Sequence, residues 1–101
     1  MAAPLRVLYV APEVAPWAKT GGLGDIAQAL PRALAAEGAE LRVLVPAYPS
    51  LARAFPHARM IAGFPSSGGA FPAARLLEAP GEPTLWLLEC PEYYARPGGP
   101  Y

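Results

Sequence analysis

Apolar residues fall in dense runs separated by proline and glycine. Leu5 to Ala11 (Leu-Arg-Val-Leu-Tyr-Val-Ala) is rich in β-formers and nearly continuous in apolar character. Such a run predicts a strand buried on both faces. Leu41 to Val45 predicts a second buried strand, stopped by Pro46. Between them, Ile26, Ala29, Leu30, Ala33 and Leu34 recur at helical spacing. They predict a helix over residues 25–37, ended by Gly38. Pro31 falls inside it, where proline removes a donor and crowds the preceding turn. A kink there, or a start shifted to Pro31, is expected. Pro12 to Gly22 reads as a long ordered loop, of the kind that often carries function. Strand, loop, helix and strand make a βαβ unit, with a right-handed crossover and a parallel pair.

Beyond Pro46 the periodicity is weaker. Ala47 to Ser50 reads as a turn and Leu51 to Phe55 as a short helix. Arg59 to Phe64 and Phe71 to Glu78 are candidate strands, with a turn signal at Ser66 to Gly69. Together they predict a hairpin. After the turn at Gly81-Glu82-Pro83, Thr84 to Cys90 predicts a third strand of the parallel core. Pro91 to Tyr101 reads as a tyrosine-containing loop, and the sequence stops there without a capping element. The expectation is part of a larger domain.

Composition sharpens that expectation. The 101 residues are 53% hydrophobic and only 16% charged, against about 25% charged in an average domain. So short a chain buries only about 60–70% of its unfolded surface. Some apolar surface is therefore expected to meet a further structure. The net charge is zero, which leaves no electrostatic case for nucleic acid or an acidic membrane. The single cysteine, Cys90, excludes an internal disulfide framework and fits a reducing compartment. No apolar run approaches the roughly 20 residues of a membrane span. The N-terminus lacks the pattern of a secretory signal.

The candidate chemistry is concentrated in Lys19-Thr20-Gly21-Gly22-Leu23-Gly24-Asp25, which holds the only lysine and the only aspartate. Three glycines allow a sharp turn and remove side chains that would keep a ligand from the amides. A helix starting just after them adds unpaired N–H groups and partial positive charge, a site for an anion such as phosphate. Lys19 supplies a compact full charge. The alternative is a glycine-rich turn that only lets the helix pack on the sheet. Gly22, Gly24 and Ala27 match the dinucleotide pattern G-x-G-x-x-A. Two features oppose that reading: the long interval after the first strand, and Pro46-Ala47-Tyr48 where a ribose-binding acid should stand. Asp25 fits a sugar-hydroxyl partner and a helix cap equally. Glu13 fits a solvated loop acid better than a site residue, and His57 also reads as solvated. Cys90 reads as a buried small hydrophobe; Trp17 and Trp86 read as packing residues. No Ser-His-Asp, metal-ligand or paired-carboxylate arrangement follows from the spacing.

Taken in order, the motifs resemble the N-terminus of bacterial glycogen synthases and plant starch synthases. The matching pieces are Val7-Leu8-Tyr9-Val10-Ala11-Pro12-Glu13 and the Lys19 to Asp25 block. Ala29-Leu30-Pro31, Val43-Leu44-Val45-Pro46-Ala47-Tyr48-Pro49 and Arg96-Pro97-Gly98-Gly99-Pro100-Tyr101 follow. The resemblance covers the chain except a vague middle from about Arg53 to Pro83, and it accounts for Pro31.

It implies an α/β fold: the Rossmann-like βαβ start of the N-terminal domain of a two-Rossmann-domain glycosyltransferase, with a β-hairpin in the middle. Residues 1–101 would be a single partial domain, with the C-terminal nucleotide-binding domain absent. The implied enzyme is a cytoplasmic, retaining glucosyltransferase. It passes glucose from ADP-glucose to the non-reducing end of an α-1,4-glucan such as glycogen. By the resemblance, Lys19 reaches the sugar nucleotide and Gly22 offers a backbone amide to its phosphates. Asp25, Glu13 and Tyr101 match positions lining the donor or acceptor site. No cofactor or metal is implied, and no nucleic-acid or membrane partner. The catalytic histidine would lie beyond Tyr101, so no catalytic residue is assigned within the chain, and the chain alone is expected to be inactive. Its exposed sheet edge and apolar surface favour self-association. The alternative is a non-catalytic βαβ module that binds phosphate or a nucleotide.

Overall fold

The computed structural model describes residues 3–95. Its elements are β1 (Arg6–Val10), α1 (Gly22–Ala36), β2 (Glu40–Pro46), α2 (Pro49–Ala54), β3 (Arg59–Phe64), β4 (Ala74–Ala79), β5 (Thr84–Glu89) and α3 (Pro91–Tyr94). The strands form one sheet in the order β1-β2-β5-β4-β3. β1, β2 and β5 run parallel. β4 pairs antiparallel with β5, and β3 with β4. The predicted βαβ unit, the parallel third strand and the hairpin are all present.

One face of the sheet carries the core. Val43 and Val45 are fully buried, and the register sets them beside Leu85 and Leu87 of β5. Leu77 and Ala79 of β4 continue the same rows. Ala11, Ala27 and Leu51 close the cluster from the β1–α1 loop, α1 and α2. This alternation follows from the period of two along β2, where Leu41, Val43 and Val45 point one way.

The opposite face is different. Leu8, Val10 and Phe64 are exposed there, Val10 at 67%. β1 was expected to be buried on both faces; among the described residues it is not. A polar row crosses this face in register. Glu78 accepts hydrogen bonds from the Trp86 indole N–H at 3.1 Å and from Arg59 at 3.2 Å. Those two contacts hold its carboxyl below the ordinary range, the indole bond first.

Several element bounds differ from the sequence reading; α2 runs Pro49–Ala54 rather than Leu51 to Phe55, so it starts within the stretch read as a turn. α1 starts at Gly22 rather than Asp25 and is unbroken across Pro31, which is buried. The carbonyl that Pro31 leaves without a helical donor is that of Ala27. β4 starts after Phe71, which pairs only in an isolated bridge with Ser67. Gly68 and Gly69 take positive φ in that loop, a conformation glycine adopts without steric penalty. Pro91 to Tyr94 form one helical turn where a loop was predicted. No helix among the described residues is long and apolar enough to cross a membrane.

A one-sided core predicts an uneven response to truncation. Leu87→Ala, at 1% exposure, should lower stability by about 2–5 kcal/mol in urea unfolding. Leu5→Ala, at 72% exposure, should change it by less than about 0.5 kcal/mol. Equal losses would contradict this placement of the core.

Candidate functional site

Parallel pairing of β1 with β2 places the loop after Val10 at the carboxyl end of the strands. Backbone bonds fix that loop. Ala11 N–H donates to Leu44 O at 3.0 Å, and Val14 and Ala18 exchange bonds of 2.8 and 2.9 Å. Ala15 N–H donates to Gly24 O at 3.0 Å. The Tyr48 hydroxyl, from the chain leaving β2, donates to Pro12 O at 2.8 Å. Trp17 packs edge-on against Phe55, with ring centroids 4.9 Å apart. It is a packing residue, as its sequence context suggested.

The glycines act by access, not by turning. Gly38, Gly68 and Gly69 are the positive-φ glycines of the described residues; Gly21, Gly22 and Gly24 are not among them. A Cβ placed on Gly21 or Gly22 would meet nothing within 4 Å. The space where a side chain would stand at these two positions is therefore open. Gly24 is different: a Cβ there would lie 3.1 Å from Cβ and Cγ of Lys19. Its bare backbone lets the lysine stem lie against the first turn of α1. Gly21 is the N-cap and makes no side-chain cap bond. The first-turn amides thus keep the partial positive charge of an uncapped helix end.

Lys19 Nζ lies 2.9 Å from Asp25 Oδ1, with the two side chains 45% and 57% exposed. The sole lysine is paired with the sole aspartate. So exposed an ion pair contributes less than about 1 kcal/mol, and an arriving anion can redirect the lysine with little loss. Asp25 is not the helix cap, because α1 begins before it. Lys19, Gly22 and Asp25 therefore come together on one open turn.

Glu13 does not join them. It is 1% exposed, the one charged side chain in the described core. The solvated loop acid of the sequence reading is thereby corrected. Its Oε1 accepts the Thr20 backbone N–H at 2.9 Å, and its Oε2 accepts the Thr20 hydroxyl at 2.6 Å. The carboxylate is turned into the core rather than to solvent. Tyr101 lies outside the described residues. His57 is exposed and Cys90 buried, as expected. Sequence reasoning assigned no role to Thr20 or Tyr48. The signal was present for both: a hydroxyl inside the glycine block, and a tyrosine in Pro-Ala-Tyr-Pro at the exit of β2.

Two cavities lie elsewhere. One of about 210 Å³ is lined by Trp17, Gln28, Arg32, Phe55 and Glu82 among others. A second, of about 390 Å³, includes Arg75, Leu87 and Glu89. Neither includes Lys19 or Gly22. The loop suits an anion through its amides and lysine.

A parallel βαβ core with an uncapped, glycine-rich helix start at the carboxyl ends of its strands is a Rossmann-like domain. The sequence matches the starch synthase catalytic domain over residues 6–101, and the chain belongs to that family. It is similar to the glycogen synthase of Dechloromonas aromatica, 54% identical over 98 residues. That match covers 96% of this chain and 20% of the relative. It is also similar to the glycogen synthase of Aromatoleum aromaticum, 53% identical over 102 residues, covering 99% and 20%. The chain thus spans about one fifth of the length of these relatives. Its fold is similar to the catalytic domain of Starch Synthase IV from Arabidopsis thaliana bound to ADP and acarbose. The TM-score is 0.62 at 23% identity, over 84% of this chain and 18% of that one.

Proposed function

We propose that this chain forms the N-terminal part of a cytoplasmic, retaining glucosyltransferase. The reaction moves glucose from ADP-glucose to the non-reducing end of an α-1,4-glucan in glycogen or starch synthesis. The observation that carries this reading is Lys19, laid across the open first turn of α1 in a member of this family. Relatives named glycogen synthase, and a structural neighbour bound to ADP and acarbose, support the substrate class.

The chemistry is consistent with that geometry. When the glucosyl bond breaks, ADP leaves and negative charge builds on its terminal phosphate. Lys19 and the Gly22 amide, with the α1 dipole behind them, stabilise that charge. As Lys19 turns to the phosphates, Asp25 is released from its ion pair and becomes an acceptor for a sugar hydroxyl. Tyr101 lines the donor or acceptor site. No residue of the chain is assigned the role of acid, base or nucleophile. The chain alone therefore binds without turning over, and its open sheet face and edge favour association with a second copy.

Calorimetric titration of ADP-glucose into the chain tests the reading. The expected result is binding that Lys19→Ala weakens about tenfold or more, through loss of a charge-assisted contact. No glucose should pass to glycogen in the same sample, and sedimentation velocity should show dimers or larger species. Equal binding by Lys19→Ala would overturn the site. Detectable transfer would overturn inactivity of the chain alone, and a monodisperse monomer would overturn self-association. Inorganic phosphate bound as tightly as ADP-glucose would favour the non-catalytic module.

A further inference from the structure

The reaction scheme uses Lys19, Gly22 and Asp25 and gives Glu13 no task. Yet Glu13 is the one charged side chain in the described core. Burying a carboxylate is strongly unfavourable unless hydrogen bonds replace its water. Each of its oxygens accepts a bond from Thr20, one from the backbone N–H and one from the hydroxyl. Thr20 stands between Lys19 and Gly21, the N-cap of α1. Charge-assisted bonds of this kind are short and strong. They close the segment from residue 13 to residue 20 around the Val14–Ala18 pair. The backbone leaving that closure enters the glycine turn directly.

We propose that Glu13 is a positioning residue: through Thr20 it holds the Lys19–Gly24 turn in its anion-binding shape before any ligand arrives. The inference rests on the reading that this turn binds the phosphates of a nucleotide sugar. It also separates two physical effects of opposite sign. The buried negative charge, taken alone, repels an anion at the turn, so its neutralisation would strengthen binding. Positioning acts the other way, because loss of the charge-assisted bonds loosens the turn.

The test uses the 101-residue chain with Glu13→Gln, Thr20→Val and Thr20→Ser. Thr20→Val keeps the charge and removes the hydroxyl; Thr20→Ser restores it. The first readout is amide hydrogen exchange at residue 20, whose N–H is bonded to Glu13, and at Asp25, the first amide of α1 with a helical acceptor; it needs no ligand. Exchange there should quicken about tenfold or more in Glu13→Gln and Thr20→Val, while the β2 and β5 amides keep their protection. Thr20→Ser should match the parent. The second readout is ADP affinity, expected to fall about tenfold in the first two variants and to be retained in Thr20→Ser. Unchanged exchange at residues 20 and 25 in both variants would overturn the proposal. So would a gain in ADP affinity in Glu13→Gln, the sign of simple charge repulsion. A parent chain that binds no ADP counts against the proposed function alone, and the exchange result still decides the role of Glu13.

Discussion

Two parallel strands cannot be joined by a tight turn; the chain must travel back along the sheet before the second begins. That constraint shapes this chain. β1 pairs parallel with β2, so α1 must return across one face, and it packs there on β2. The start of α1 is thereby set at the carboxyl ends of the strands, with no side-chain cap on its first amides. β5 then adds parallel to β2, and the β3–β4 hairpin extends the sheet on its far side. One face gains the core, while the other keeps Leu8, Val10 and Phe64 exposed.

The loop between β1 and α1 must satisfy a second constraint. It carries a carboxylate into the core, and that charge needs hydrogen bonds in place of water. Thr20 supplies two. The result is a loop fixed by Glu13 and by the Tyr48 hydroxyl on Pro12. Lys19 and Asp25 form a weak, exposed pair. A partly buried, charge-assisted attachment beside a weakly held exposed lysine suits a site that keeps its shape while its charge is redirected.

Much of this was legible in the sequence. β3 occupies the candidate residues, Arg59–Phe64, and β5 nearly so, because turn signals bound both runs. The meeting of Lys19, Gly22 and Asp25 on one turn was legible because all three stand within seven consecutive residues. Other features depended on contacts that no local pattern records. Glu13 sits in a proline-rich loop and reads as solvated; its burial follows from closure onto Thr20, seven positions away. The start of α1 was hidden because glycine is a poor helix former and apolar periodicity begins only at Ile26. The Pro91–Tyr94 turn is too short to show a period. β1 reads as doubly buried from its apolar run, whereas burial also requires something to cover the second face.

The central claim is that the Lys19–Asp25 turn is a preformed anion site. Titration of ADP into the chain, followed by amide chemical shifts, tests it most directly. The account predicts that the largest shifts fall on Gly22, Leu23 and Gly24, with the β2 and β5 amides nearly still. Largest shifts elsewhere, as around Gly81 to Pro83 beside the 210 Å³ cavity, or none at saturating ADP, would contradict it.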